Sequence, residues 1–317
     1  LDAFEENLVS IPDESFNVYR GQSPRFCKTV VYDNEGNILF FIVDNNIYNK
    51  KGVGFPDEND EFGIAHLHHG ESYTNPYGYE INRVIDNSSI ILDNEIIVVP
   101  VPGSCYEYYL FYSLYKNREH SHSDVLEEKV YYRKLSYIDE NNIELTTPQA
   151  LPFNSEHDVI TGCFETNKLN IAISQYNSTY NNYMFFIRHF SYLYIYEVTE
   201  AGVNMLPKLL CIGNSDALSG FLRSEMEVVT VTENDNDVFN YLALPFADWA
   251  NHTHIEYQLF KIPVDFNAIN DSYWNEIYNP AELNTTVPHW YFKKDIETEY
   301  SCYPVGLEFS ADGKYLF

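Results

Sequence analysis

Short apolar runs separated by turns rich in Asn, Asp and Gly recur along the whole chain, and sustained helical periodicity is scarce. Lys28–Tyr32 and Ile38–Val43 flank the polar stretch Asp33-Asn34-Glu35-Gly36-Asn37, which predicts a β-hairpin, and Asn46–Tyr48 follows as a third short strand. Lys50 to Asn82 is rich in Gly, Pro, Asp, Glu and His and reads as surface loop. A second group of strands is predicted at Ser89–Leu92, Ile96–Val101, Tyr106–Tyr115 and Lys129–Tyr137, and a third at Val159–Glu165, Leu169–Gln175, Tyr183–Arg188 and Tyr192–Thr199. A fourth comprises Gly220–Arg223, Glu227–Thr232, Val238–Pro245 and Tyr257–Pro263, and Gly306–Phe317 opens a fifth. Only Ser123–Lys129 and Ile269–Tyr278 leave room for a short turn of helix.

Strand clusters of about four thus recur roughly every 60 residues. Serial four-stranded units predict an all-β fold, a β-propeller of four-stranded antiparallel blades, with an array of β-sandwiches as the structural rival. The expected blades are residues 18–82, 83–150, 151–212 and 213–300, with 301–317 starting the next. The chain stops on the apolar Tyr315-Leu316-Phe317, one hairpin into a blade, where an unpaired edge would invite aggregation. The polypeptide is therefore expected to continue past Phe317.

Composition supports sheet over helix. Of 317 residues 45% are hydrophobic, enough for a sizeable core, and the 28 Tyr and 21 Phe suit the pleated, half-buried surface of strands. With 47 acidic and 19 basic residues the net charge is −28, which repels nucleic-acid phosphates and anionic membranes. No apolar run is long enough for a membrane helix, so no membrane span is expected. The chain begins Leu1-Asp2-Ala3-Phe4 without a basic, apolar leader, as a processed N-terminus does. The five cysteines, Cys27, Cys105, Cys163, Cys211 and Cys302, are scattered and contain no CxxC pair. One or two disulfides and buried free thiols both stay open.

Gly306-Leu307-Glu308-Phe309-Ser310-Ala311-Asp312-Gly313-Lys314-Tyr315-Leu316-Phe317 resembles the FSPDGKYL hairpin of WD40-like, TolB-like and YVTN-like propellers. Gly36–Phe41 with Asp44–Lys50 is similar to the GNLLFYTDGxxVWNK stretch of secreted Bacteroidetes propellers. Ser88–Ile91, Val98–Gly103 and Tyr108–Phe111 are similar to that group's SALIVPKPGxxxxYYIF. The match departs at Phe41-Ile42-Val43, where the group has Tyr-Thr, and at Tyr48, where it has Trp. The resemblance implies a secreted or cell-surface protein exported by the type IX pathway. Its implied partners are a surface glycan or protein ligand, together with further domains or subunits that complete the propeller.

Candidate chemistry is sparse. His66, His68 and His69 lie in His66-Leu67-His68-His69-Gly70-Glu71, and His120 and His122 lie in Glu119-His120-Ser121-His122-Ser123-Asp124. Both are spacings at which imidazoles bind Zn²⁺ or another transition metal. Two acidic stretches, Asp57–Glu61 and Glu233-Asn234-Asp235-Asn236-Asp237, offer oxygens for Ca²⁺, with Asp235 and Asp237 as ligands. The second lacks the Gly and distal Glu of an EF-hand loop. The plainer reading of each is a solvated loop. No GxSxG, HExxH, P-loop or GxGxxG motif is present, and no catalytic residue is nominated. The aromatic runs Tyr106–Tyr115 and Tyr192–Tyr196 are expected to pack in the core rather than stack on sugars. N-x-S/T triplets begin at Asn87, Asn177, Asn251, Asn270 and Asn284. The function expected is a non-catalytic extracellular binding, adhesion or structural module without a cofactor. The alternatives are a propeller enzyme acting on glycans and a subunit of a self-assembling filament.

Overall fold

The structure, a computed structural model, describes residues 28–43, 45–56, 65, 73–74, 80–81, 90–91, 96–116, 127–153, 169–189, 192–211, 226–233, 237–247, 254–269 and 291–295. The first sheet contains β1 (Lys28–Tyr32), β2 (Ile38–Val43) and β3 (Asn46–Asn49), in that order. Its leading hairpin forms as the polar turn predicts. The Asp33 carboxylate accepts hydrogen bonds from the amides of Glu35 (2.9 Å) and Asn37 (2.8 Å), and Gly36 takes a φ of 84° that side chains resist. A two-stranded ribbon, β4 (Tyr73–Thr74) with β5 (Glu80–Ile81), follows.

The second sheet contains β6 (Ile90–Ile91), β7 (Ile97–Pro100), β8 (Glu107–Lys116), β9 (Glu127–Asp139), β10 (Asn142–Leu145) and β11 (Gln149–Ala150). The third contains β12 (Asn170–Ile173), β13 (Tyr183–His189), β14 (Tyr192–Thr199), β15 (Gly202–Val203) and β16 (Lys208–Cys211). The fourth runs β17 (Glu227–Glu233), β18 (Asp237–Ala247), β19 (His254–Pro263) and β20 (Tyr291–Asp295). Every paired strand whose register is described is antiparallel. The chain is all-β, with four small sheets in a four-bladed β-propeller arrangement.

The described strands of the four sheets number three, six, five and four, against the four expected in each blade. The excess comes from interruption. β6 and β7 both pair β8, β10 and β11 both pair β9, and β15 and β16 both pair β14. Each such pair fills one position in its sheet, so the second, third and fourth sheets each have four positions. Glu127–Lys129 begin β9 instead of a helical turn. A 3₁₀ turn lies at Phe266–Ala268, capped by the Asp265 carboxylate, which accepts from the Asn267 amide.

The chain divides into two compact units. The first is built on the first sheet with residues 106–112 and 131–149 of the second. Here β1 lies beside β7, and β2 is buried along its centre. Phe40 meets Tyr108 edge-on at 5.4 Å and stacks on Tyr137 at 6.3 Å, while Phe55 approaches Tyr137 edge-on at 6.4 Å. Phe41 stacks on its cross-strand partner Tyr48 at 5.3 Å. A polar clasp completes the unit. The buried Asn49 amide donates to the Glu140 carbonyl (3.0 Å), and its oxygen accepts from the amides of Lys51 and Val53 (both 3.0 Å). Lys51 pairs with the Glu140 carboxylate at 3.0 Å, and Lys50 approaches it at 3.6 Å. The hydrogen bond and charge of Lys51 hold that carboxyl below its ordinary range.

The second unit carries the third and fourth sheets, with β12 beside β17. All of β13 is buried. Ala172, Met184, Phe186, Leu193, Ile195 and Leu210 pack with Met226, Leu242, Leu244, Phe260, Ile262, Phe266 and Ile269 in one cluster. The buried Asn240 amide accepts from Thr230 Oγ1 (2.7 Å) and donates to the Met184 sulfur of this cluster (3.4 Å). No helix among the described residues is long and apolar enough to cross a membrane.

Candidate functional site

His66, His68, His69, His120, His122, Asp235 and the acidic stretch Asp57–Glu61 lie outside the described residues. Asp237 opens β18, exposed, opposite Glu233 in the register of β17 and β18. Glu233 is already engaged. One carboxylate oxygen accepts from the Tyr241 hydroxyl, and the other lies 2.6 Å from Lys261 Nζ. That ammonium sits 3.8 Å from the Phe239 ring centroid, so Lys261 is held between a carboxylate and an aromatic face. The cluster cross-links three strands and engages both carboxylate oxygens of Glu233. Among the described residues no group of three His, Cys, Asp or Glu side chains is placed to hold a metal ion.

The tyrosines separate into two populations. Tyr108, Tyr109 and Tyr112 of β8 are buried, as are Tyr194 and Tyr196 of β14. These strand residues fill the core as expected, and burial pushes the Tyr112 and Tyr196 phenols far above their ordinary range. Tyr106, just before β8, is 67% exposed.

Of the exposed tyrosines, which also include Tyr32 of β1, two stand on the connection from β12 to β13. Asn177 and Asn182 exchange backbone hydrogen bonds (2.8 and 3.2 Å) and close a loop over residues 178–181. The Asn177 side-chain oxygen accepts from the amides of Thr179 (2.9 Å) and Tyr180 (3.1 Å). Asn181 takes a φ of 54°, a left-handed conformation that asparagine tolerates. Asn182, buried, ties the loop to β14 by donating to Glu197 Oε1 at 3.0 Å. On this frame Tyr176 and Tyr180 are 43% and 44% exposed. Tyr176 donates its hydroxyl proton to Asn181 Oδ1, and its ring lies 5.3 Å from the ring of buried Tyr183. Tyr176 is therefore fixed at its hydroxyl and along its ring while still facing water.

Such a loop offers aromatic surface, side-chain amides and hydroxyls without a charge. Sequence reasoning placed sugar stacking, as the lesser reading, on the strand runs and missed Tyr176 and Tyr180. A signal was present: from Leu169 to Ile187 there is no Asp, Glu, Lys or Arg, in a chain of net charge −28. At the far end of β13, His189 is buried, with its ring 5.4 Å from Phe153, and burial pushes its pKa down to about 4. Beside it Arg188 is buried too, its guanidinium brought down to about 10. Cys105 is an exposed free thiol. No protein-family model matches the chain, and neither a curated protein nor a solved structure matches it.

Proposed function

We propose that this chain is a non-catalytic binding module of a secreted or cell-surface protein. The observation that carries the reading is the loop between β12 and β13. Two exposed tyrosines stand there among Asn, Ser and Thr on a frame of backbone and side-chain hydrogen bonds. Tyrosine supplies rigid contact area at little entropic cost, and Asn and Ser supply adaptable hydrogen bonds, the composition that binding loops favour. The net charge of −28 keeps such a module soluble and turns away polyanions.

The similarity of Gly36–Lys50 and Ser88–Phe111 to secreted Bacteroidetes propellers extends the proposal to type IX export and an adhesive role. The partners would be a surface glycan or protein, with further domains or subunits completing the assembly. The test is to present the purified chain to arrays of immobilised glycans and extracellular proteins, while following release of reducing ends from the same glycans. Saturable binding without turnover is expected. Hydrolysis or elimination of any panel glycan would replace the binding module with an enzyme.

A further inference from the structure

We propose that the β12–β13 loop is a binding site for an uncharged, pyranose-based glycan, with Tyr176 as the stacking platform and Tyr180 as the second aromatic contact. The inference rests on the binding-module reading and names the ligand class of that site. A pyranose ring has an apolar face of C–H groups and a rim of hydroxyls, and it needs an exposed ring face beside amides and hydroxyls. Tyr176 provides the face, held by its hydroxyl on Asn181 and by contact with Tyr183. Its two restraints are in place before any ligand arrives, which lowers the ordering cost of binding. Gln175, Ser178, Thr179 and Asn181 are exposed around it and supply donors and acceptors for the hydroxyl rim.

Two features favour an uncharged sugar over other ligands. No charged residue lies between Leu169 and Ile187, and the nearby Glu197 carboxylate is engaged by Asn182. An anionic sugar meets the field of a chain with net charge −28, and a cationic ligand finds no carboxylate on the loop.

The test is calorimetric titration of the intact chain with cellotriose, mannotriose, galactotriose and N-acetylchitotriose, with oligogalacturonate as the anionic control. The chain is expected to bind at least one neutral trisaccharide, unaffected by salt, and to bind oligogalacturonate more weakly. Tyr176→Ala and Tyr180→Ala should each weaken that binding by about three- to tenfold. Tyr176→Phe, which keeps the ring, should lose less. Asn181→Gly keeps the backbone conformation while removing the acceptor of the Tyr176 hydroxyl, and it guards against misfolding of the alanine variants. It should fall between wild type and Tyr176→Ala.

Equal affinity of wild type and both alanine variants overturns the proposal, and so does failure of wild type to bind any of the four neutral sugars. Capture of an extracellular protein with no sugar bound removes the glycan inference and leaves the binding module standing. Binding to neither class removes both.

Discussion

The two compact units reach burial by different chemistry. The first adds directional contacts to its buried apolar side chains: Phe40 and Phe55 against Tyr137, Phe40 against Tyr108, and the Asn49 clasp on residues 51, 53 and 140. The second relies on volume, a mostly aliphatic cluster shared by its two sheets. Directional contacts lose strength when a partner is removed and a polar group is stranded. A filled apolar cluster loses strength in proportion to the space left behind. The units should therefore respond to different kinds of substitution.

The largest effect is expected from Phe186→Ala at the centre of the second unit, where the ring is completely buried. Truncation of such a ring costs about 3–5 kcal/mol, the transfer energy plus the cavity it leaves. Denaturant unfolding should register the loss. Hydrogen exchange should rise most in β13, β14, β18 and β19, with little change in β2 and β3. Equal loss of protection in both units would abolish the distinction drawn here.

Next is an acid sensitivity of the second unit. His189 has an ordinary pKa of 6.5 and is held near 4 by burial, so between those values the unfolded chain binds a proton that the folded chain refuses. Stability is whole above about pH 6.5 and falls as the pH drops towards 4, by up to about 3 kcal/mol. Asp33, Asp139 and Glu140 also lose favourable interactions on acidification. Their ordinary values are 3.8, 3.8 and 4.5, so their share appears at lower pH. Between pH 7 and 5, above those carboxylate values, the difference between wild type and His189→Gln reports this histidine, and the variant should flatten the curve there. An unchanged slope in the variant would assign the sensitivity elsewhere.

These contrasts were unevenly legible in the sequence. Asp33 and Gly36 announced the first hairpin because a polar turn and its flanking apolar runs are local features. Most strands of the four groups were legible for the same reason, and they led to the propeller; the expected strands Val159–Glu165 and Gly220–Arg223 lie outside the described residues. The outer strand formed by β15 and β16 was not, because Asn204 to Pro207 interrupts it and its pieces are strands only through pairing with β14. β20 likewise owes its place to β19. Tyr176 and Tyr196 are the same residue type in similarly aromatic surroundings; one faces water and one is fully buried. Hydrophobic period cannot separate them, because a loop has none. The uncharged run from Leu169 to Ile187 does not separate them either, because it also contains the buried Tyr183. His189 reads as the polar end of a strand, and its burial depends on Phe153, far away in sequence.

The smallest effect expected, and the sharpest for the first unit, is that of Asn49. Its side chain makes three hydrogen bonds at once, two to amides of its own turn and one to the Glu140 carbonyl 91 residues away. Asn49→Ala leaves the Lys51 and Val53 amides and the Glu140 carbonyl without that partner, at a cost of about 1–3 kcal/mol. Asn49→Asp keeps an oxygen for the two amides but sets a carboxylate against the carbonyl, and it places a like charge near the Glu140 side chain. The two variants should therefore separate the halves of the clasp. If the amide bonds dominate, Asp is the milder change, and exchange at Lys51 and Val53 stays slow. If the bond to the Glu140 carbonyl dominates, Asp is at least as harmful as Ala, and protection falls in β9 and β10 as well as in β3. Lys51→Ala is the control for charge alone. Lys51 and Glu140 are both well exposed, so high salt should erase most of its effect and leave the Asn49 variants unchanged. An Asn49→Ala loss that salt removed would mean that this unit is held by ion pairs, and that directional hydrogen bonding is not what sets it apart from the aliphatic unit.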